Sequence, residues 1–178
     1  MKSPLVSLLI LLTVFYLTIT AILFFTQSYF IFFPREISGN QHSFLKQFKS
    51  NEITLDHDGI SLHGWFIQNE TNPENPLIIY YGGNAEEVSM NLYNLDKFGD
   101  RSLMFMNYRG YGKSEGRPGQ DALFSDALFI FDHISKKYYI PPEKIILKGR
   151  SLGSAVAIHV AGQRKVKAVL LVDRKSVV

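Results

Sequence analysis

The stretch "IILKGRSLGSAVAIHVAG" (residues 145–162) sets an apolar run, a serine between two glycines and a series of small residues back to back. A bare Gly-x-Ser-x-Gly carries little information, because both residue types are common. The context carries the reading. An apolar strand over 145–147 that runs directly into a helix from Leu152 forces a sharp turn, and the residue at its apex is held in a strained conformation with its side chain clear of the sheet. Gly149 and Gly153 suit that turn, since a Cβ at either place would collide with neighbouring backbone. Ser154, Ala155 and Ala157 then let the helix pack close to the strands. Ser151 is placed at the carboxyl end of the sheet, near a helix N-terminus, where open α/β sheets hold their ligands.

Working outward, "EITLDHDGISLHGWFIQ" (residues 52–68) reads as two short strands joined at Asp58-Gly59, a pair that tolerates the positive φ of a tight hairpin turn. Four nearly pure apolar runs follow, at 77–81, 103–106, 145–147 and 168–172. Runs without alternation predict strands covered on both faces, as in a parallel sheet between helices. Leu123, Ala127, Ile130, Phe131 and Ile134 share one helical face, with Asp132, His133, Lys136 and Lys137 away from it and Pro141-Pro142 as the stop. Residues 86–98, ending near Gly99, and 154–163 are expected as further helices. Strands and helices alternating through short loops predict a doubly wound α/β domain with an antiparallel entry hairpin.

The N-terminus has a different character. No charged residue lies between Lys2 and Arg35, and residues 5–25 are apolar apart from scattered Thr, Ser and Tyr. As a helix that run spans about 30 Å, enough for a bilayer core. A cleaved signal peptide is the rival, but the run exceeds the usual apolar region of about 7–15 residues and no Ala-x-Ala-like site follows. The aromatic group "YFIFFPR" (residues 29–35) suits the membrane interface, with Pro34 ending the helix. Lys2 on one side against Arg35, Lys46 and Lys49 on the other leans toward a cytoplasmic C-terminal part. The expected organisation is an anchor and interfacial segment over 1–33, a linker over 34–50, a partial α/β domain over 51–172 and an atypical tail over 173–178.

Composition narrows the chemistry. With no cysteine among 178 residues, a disulfide scaffold, a thiolate metal site and a cysteine nucleophile are excluded. The net charge of +3 comes from scattered lysines and arginines not interleaved with aromatics, which reads as solvated surface and not as a nucleic-acid footprint. "GYGKSEG" (residues 110–116) mimics the end of a phosphate-binding loop, but residue 107 is asparagine where that motif needs glycine, and Gly116 and Pro118 forbid a helix directly after Ser114. Residues 107–118 are read instead as a loop flanking the site, and nucleotide, metal and cofactor are not expected.

A serine nucleophile also needs donors for the oxyanion. One is expected from the backbone N–H of Leu152, which follows the serine. The second is expected from the glycine-rich loop "YYGGNAEE" (residues 80–87), with the N–H of Asn84 as the candidate.

In that order, behind an N-terminal apolar segment, "YYGGNA" (80–85), "MNYRGYGKSEGRPGQDAL" (106–123) and "LKGRSLGSAVAIHVA" (147–161) resemble the membrane-anchored α/β-hydrolase domain-containing proteins of the bud-emergence type. The resemblance covers about residues 29–172. It implies the α/β-hydrolase fold and a serine hydrolase of esterase, thioesterase or peptidase type, with Ser151 matching the nucleophile. Two departures stand out. Gly82 replaces a histidine usual before the Gly-Asn pair, which bears on loop rigidity, and Ser154 replaces a usual glycine.

In this fold the triad acid and base follow the serine on later loops. The histidine after Ser151 is His159, eight positions on in the same expected helix and hence about 12 Å along its axis, too far to serve as base. His133 is expected on a solvated helix face, His57 and His63 in the hairpin and His42 beside the membrane. Asp173 follows the last strand, one strand too early for the acid. "LLVDRKSVV" (residues 170–178) leaves the family's pattern after Val172. The expectation is therefore a sheet incomplete at its C-terminal side, as from a truncated or frame-shifted gene, and a 178-residue product near inactivity. A catalytically dead anchored fragment serving as an interaction surface is the alternative. The substrate is an unknown small ester, thioester or peptide; the bilayer is the expected partner, and lipid or acyl-protein esters are guesses that follow from the anchor.

Overall fold

The computed structural model describes residues 3–72 and 74–172. Its contacts divide the chain into two units, Met1–Phe33 and Pro34–Val178.

The first unit is one helix, α1 (Pro4–Ile31), with mean hydropathy 2.6 over its most apolar window and its large apolar side chains exposed. It is long and apolar enough to cross a membrane. The threonines do not spoil this. The hydroxyls of Thr13, Thr18 and Thr26 donate to the carbonyls of Leu9, Val14 and Ile22 one turn back, at 2.9, 2.8 and 2.7 Å. Each thus carries its own acceptor into an apolar medium.

In the second unit, short helical turns over 39–51 lead into a six-stranded sheet: β1 (Glu52–His57), β2 (Ile60–Ile67), β3 (Leu77–Tyr81), β4 (Ser102–Met106), β5 (Ile145–Arg150) and β6 (Ala168–Val172), in the order β1-β2-β4-β3-β5-β6. β1 and β2 form the expected antiparallel hairpin, turned by Asp58 and Gly59 at φ 55° and 73°. β2 runs antiparallel to β4, and β3, β4, β5 and β6 are mutually parallel where they pair. Two helices follow the expected periodicity: α2 (Gln120–Lys137), which buries Leu123, Ala127, Ile130, Phe131 and Ile134, and α3 (Leu152–Ala161).

The sheet is covered on both faces at its centre, and β3 is buried throughout. Ile78 and Tyr80 point to a cluster with Trp65, Val88, Leu92, Phe98, Leu103 and Phe105. Tyr81 points the other way, its hydroxyl reaching the carbonyl of Ala127 on α2 at 3.4 Å. Coverage fails at β6, where Leu170, Leu171 and Val172 are exposed.

Two further expectations are corrected. Residues 86–98 do not form one α-helix; Val88–Phe98 is a run of 3₁₀ turns broken at Asn94 (φ −133°, ψ 36°). Its polar side chains compete for the backbone: Glu87 accepts from the N–H of Ser89 and Asn91 donates to the carbonyl of Val88. His133 is half-buried and not solvated, tilted against Phe129 at 5.5 Å, with Nε2 buried and without a protein partner among the described residues. Burial pulls its pKa down. The tail over 173–178, Asp173 included, lies outside the described residues.

Candidate active site

β5 delivers Arg150 and α3 starts at Leu152, so Ser151 alone makes the turn, at φ 50° and ψ −114°. For a residue with a Cβ this is a strained backbone. The side chain is exposed and makes no cap hydrogen bond to its own helix. The turn is tight enough to dictate its flanks. A Cβ on Gly149 would lie 2.3 Å from the Gly153 carbonyl oxygen, and one on Gly153 would lie 2.1 Å from the Tyr81 oxygen and 2.6 Å from that of Gly82. Helix α3 is thereby pressed against the end of β3. Ser154, in the place of a usual glycine, donates its hydroxyl to the Gly149 carbonyl at 3.2 Å and fits without leaving a polar atom unmatched.

The N–H of Ser151 is occupied, donating to the Val172 carbonyl of β6 at 3.0 Å. The N–H of Leu152, at the first helical position, has no intrahelical acceptor. A charge building up beside the serine would meet that N–H and the positive end of α3.

The loop after β3 lies against the serine. A Cβ on Gly83 would stand 3.6 Å from the Arg150 carbonyl oxygen and 3.8 Å from Ser151 Cβ. The N–H of Gly83 itself is taken by Glu86 Oε2 at 2.8 Å. Asn84 is half-buried, and its Oδ1 accepts from the hydroxyl of Tyr111 at 2.8 Å and the N–H of Ala85 at 3.1 Å. The residue at 82 is glycine, so rigidity comes from elsewhere: Tyr108 donates its hydroxyl to the Gly82 carbonyl at 2.9 Å. Tyr108 and Tyr111 belong to the 107–118 loop, which is tied down by Gly112 donating to the Arg35 carbonyl and Ser114 to that of Tyr111. That loop flanks the site, as expected, and no helix opens until Gln120.

Sequence reasoning missed Glu86. Its Oε1 accepts from Tyr80 at 2.8 Å and from Asn91 at 3.0 Å, and Arg150 reaches Oε2 at 2.5 Å. Burial alone would raise the carboxyl, but the donors Asn91, Gly83 and Tyr80 and the Arg150 charge outweigh it and hold it below the usual carboxylate range. Burial and that carboxylate push the Tyr80 phenol up, so it remains a donor. Glu86 thus couples the 82–86 loop to the residue just before the serine. A pair separated by 64 positions leaves no local signal in the chain.

None of the five histidines serves Ser151. His57 Nδ1 meets Asp126 at 2.7 Å, His63 Nε2 meets Glu52 at 2.6 Å, and His159 stacks on Phe124 at 4.0 Å and contacts Gln163. His133 packs on Phe129, and His42 lines a cavity in the 37–49 region. Among the described residues no cluster of His, Asp or Glu could hold a metal ion.

No protein-family model matches the chain. It is similar to the alpha/beta hydrolase domain-containing protein WAV2 of Arabidopsis thaliana, 34% identical over 119 residues that make up 64% of this chain and 39% of that protein. It is also similar to an uncharacterized membrane protein of Saccharomyces cerevisiae, YNL320W, 36% identical over 114 residues, 62% of this chain and 39% of the other. The chain therefore spans about two fifths of the length of these relatives. Among solved structures, an alpha-beta hydrolase from Vibrio vulnificus superposes with TM-score 0.64 at 24% identity, over 76% of this chain and 50% of its own. The Pyrococcus furiosus esterase Pf2001 does so with TM-score 0.56 at 21% identity, over 73% and 52%. At these identities the superpositions show the fold: part of an α/β-hydrolase domain.

Proposed function

Since the chain belongs to the α/β-hydrolase superfamily, we propose that Ser151 is the nucleophile position of a membrane-anchored serine hydrolase acting on an ester, thioester or peptide bond. The observation that carries this is the backbone of Ser151, strained at φ 50° and exposed at the one residue between an inner strand and its helix. The N–H groups of Leu152 and Asn84 are assigned to the oxyanion of the tetrahedral intermediate, with Gly149 and Gly153 admitting the turn. Each such donor contributes on the order of 10²–10³ in turnover in enzymes of this kind.

The same geometry limits residues 1–178. Among the described residues no histidine is placed against Ser151 to take its proton, and loss of the base costs about 10⁶ in turnover in a serine protease. This favours, for the 178-residue chain alone, near-background hydrolysis or the non-catalytic reading. The helix α1 is assigned as the anchor, supported by its length and apolarity and by the relative called a membrane protein.

A fluorophosphonate probe tests the nucleophile in membranes of the cells that make the protein. Where the protein in those membranes also carries the later triad loops, the expected result is label on the tryptic peptide spanning residues 151–164, beginning at Ser151, and absence of label there, in a sample where other serine hydrolases react, overturns the assignment; residues 1–178 alone are expected to stay unlabelled. Release of the chain from those membranes by alkaline carbonate overturns the anchor separately. For the isolated chain, ester turnover abolished by Ser151→Ala would refute near-inactivity.

A further inference from the structure

A cavity elsewhere in the second unit shares no residue with the Ser151 turn or the 82–86 loop. It measures about 190 Å³, and its lining includes the apolar Ile37, Leu45 and Trp65 beside His42. Its rim holds three ammonium groups, Lys46, Lys49 and Lys113, against one carboxylate, Glu52. Glu52 accepts from Lys49 at 2.6 Å, from Lys113 and from His63 Nε2 at 2.6 Å. Burial would raise its carboxyl, but Lys113, Lys49 and His63 bring it down to about 2, so it stays charged and holds both lysines beside the cavity they line. His63 adds no charge: burial lowers its pKa despite the Glu52 contact. Each lysine on Glu52 spends one of three N–H donors there. The side chains of Lys49 and Lys113 remain 79% and 52% exposed, so the other donors face solvent. The rim therefore carries an excess of positive charge with unused donors.

Two other cavities differ in this respect. In one of about 250 Å³, Lys144 is neutralised by Glu74 at 2.5 Å. Another, of about 380 Å³, sets Glu70 and Asp100 against Arg101.

The size and lining fix the ligand class. At about 190 Å³ the cavity lies below the range of roughly 300–1,000 Å³ typical of whole cofactors and drug-sized ligands. Three lysines suit phosphate oxygens, whereas a lining of Ile, Leu and Trp wastes its apolar surface on a free anion. Ile37 follows the end of α1 at Ile31 by six residues, at most about 20 Å of extended chain. A bilayer holding α1 would present its headgroups to this segment at high effective concentration.

We propose that this cavity binds the phosphate headgroup of an anionic phospholipid, Lys46, Lys49 and Lys113 taking the phosphate and Ile37, Leu45 and Trp65 the adjoining glycerol carbons. The source of the lipid rests on the reading of α1 as an anchor; the binding itself does not. Trp65 is the sole tryptophan; it lines this cavity and packs in the core cluster, so a ligand in the cavity changes its emission, and unfolding of the second unit does too.

The test uses the full chain in an uncharged maltoside detergent, titrated with dihexanoylphosphatidylglycerol, dihexanoylphosphatidylcholine or inorganic phosphate. A saturable change in Trp65 emission is expected with the glycerol lipid, at least tenfold weaker with the other two. The Lys46→Gln/Lys113→Gln variant should lose at least tenfold in affinity, and Lys165→Gln/Lys167→Gln none. Lys46→Glu, at an exposed residue with no ion pair among the described residues, should lose as much with no change in thermal midpoint. No response, equal response to the choline lipid, equal response to phosphate (a free-anion site) or a Lys46 variant that titrates like the parent would each overturn the proposal. No bilayer is present, so its failure is distinct from release of the chain by carbonate.

Discussion

Replacing Ser151 by glycine should stabilise the protein, because the native backbone there is one that a Cβ opposes. Residues held at such a φ, here 50° with ψ −114°, cost of order 1–3 kcal/mol. Glycine removes that cost but adds freedom to the unfolded chain, roughly 0.5–1 kcal/mol. The balance is a gain of about 1 kcal/mol, which in a domain of this size raises the thermal midpoint by about 2–4 °C. Ser151→Ala provides the control. It keeps the Cβ and the strain and removes only a hydroxyl that caps nothing, so it should stay within about 0.5 kcal/mol of the parent. The assay is thermal unfolding of the full chain in detergent followed by Trp65 emission, which reports the second unit and not α1. Equal midpoints for the glycine and alanine variants, or a lower one for glycine, would refute the strained turn and with it the reason the serine stands clear of the sheet.

Gly153→Ala sets a Cβ 2.1 Å from the Tyr81 carbonyl oxygen, an overlap of more than an ångström that only backbone movement relieves. Denaturant titration should show a loss of about 3 kcal/mol, the upper end of the usual overpacking range; Gly39→Ala, with nothing within 4 Å, should be neutral. Acid should act through Glu52. Its folded pKa, about 2, lies below its ordinary value of 4.5, so the stability it contributes is complete above pH 4.5 and is lost as pH falls toward 2. The gap in unfolding midpoint between parent and Glu52→Gln should close across that window, and a gap constant from pH 5 to pH 2 would contradict the assignment.

What the sequence reveals and what it hides separate along a physical line. Strands β3 and β4 are legible because burial on two faces demands unbroken apolar runs, and the turn at Ser151 is legible because its tightness excludes a Cβ at Gly149 and Gly153, leaving a local pattern of glycines. The 3₁₀ run at Val88–Phe98 is not, since Glu87 and Asn91 bond to nearby backbone in ways an apolar periodicity does not register. Buried charge is hidden for a different reason. Asp126 is 3% exposed on the inner side of α2, where periodicity alone expects an apolar residue; it is tolerated because Arg109 grips both its oxygens at 2.7 Å and His57 arrives from the hairpin. Glu86 is held likewise by Arg150, Tyr80 and Asn91. A carboxylate enters a low-dielectric interior only with its partners already in place, so its position is a property of the assembled fold and not of its own segment. The consequence for the site is specific: the Ser151 turn can be read from one short stretch, whereas the groups that hold the 82–86 loop against it, Glu86, Tyr108 and Tyr111, become visible only when β3, β4 and β5 lie side by side.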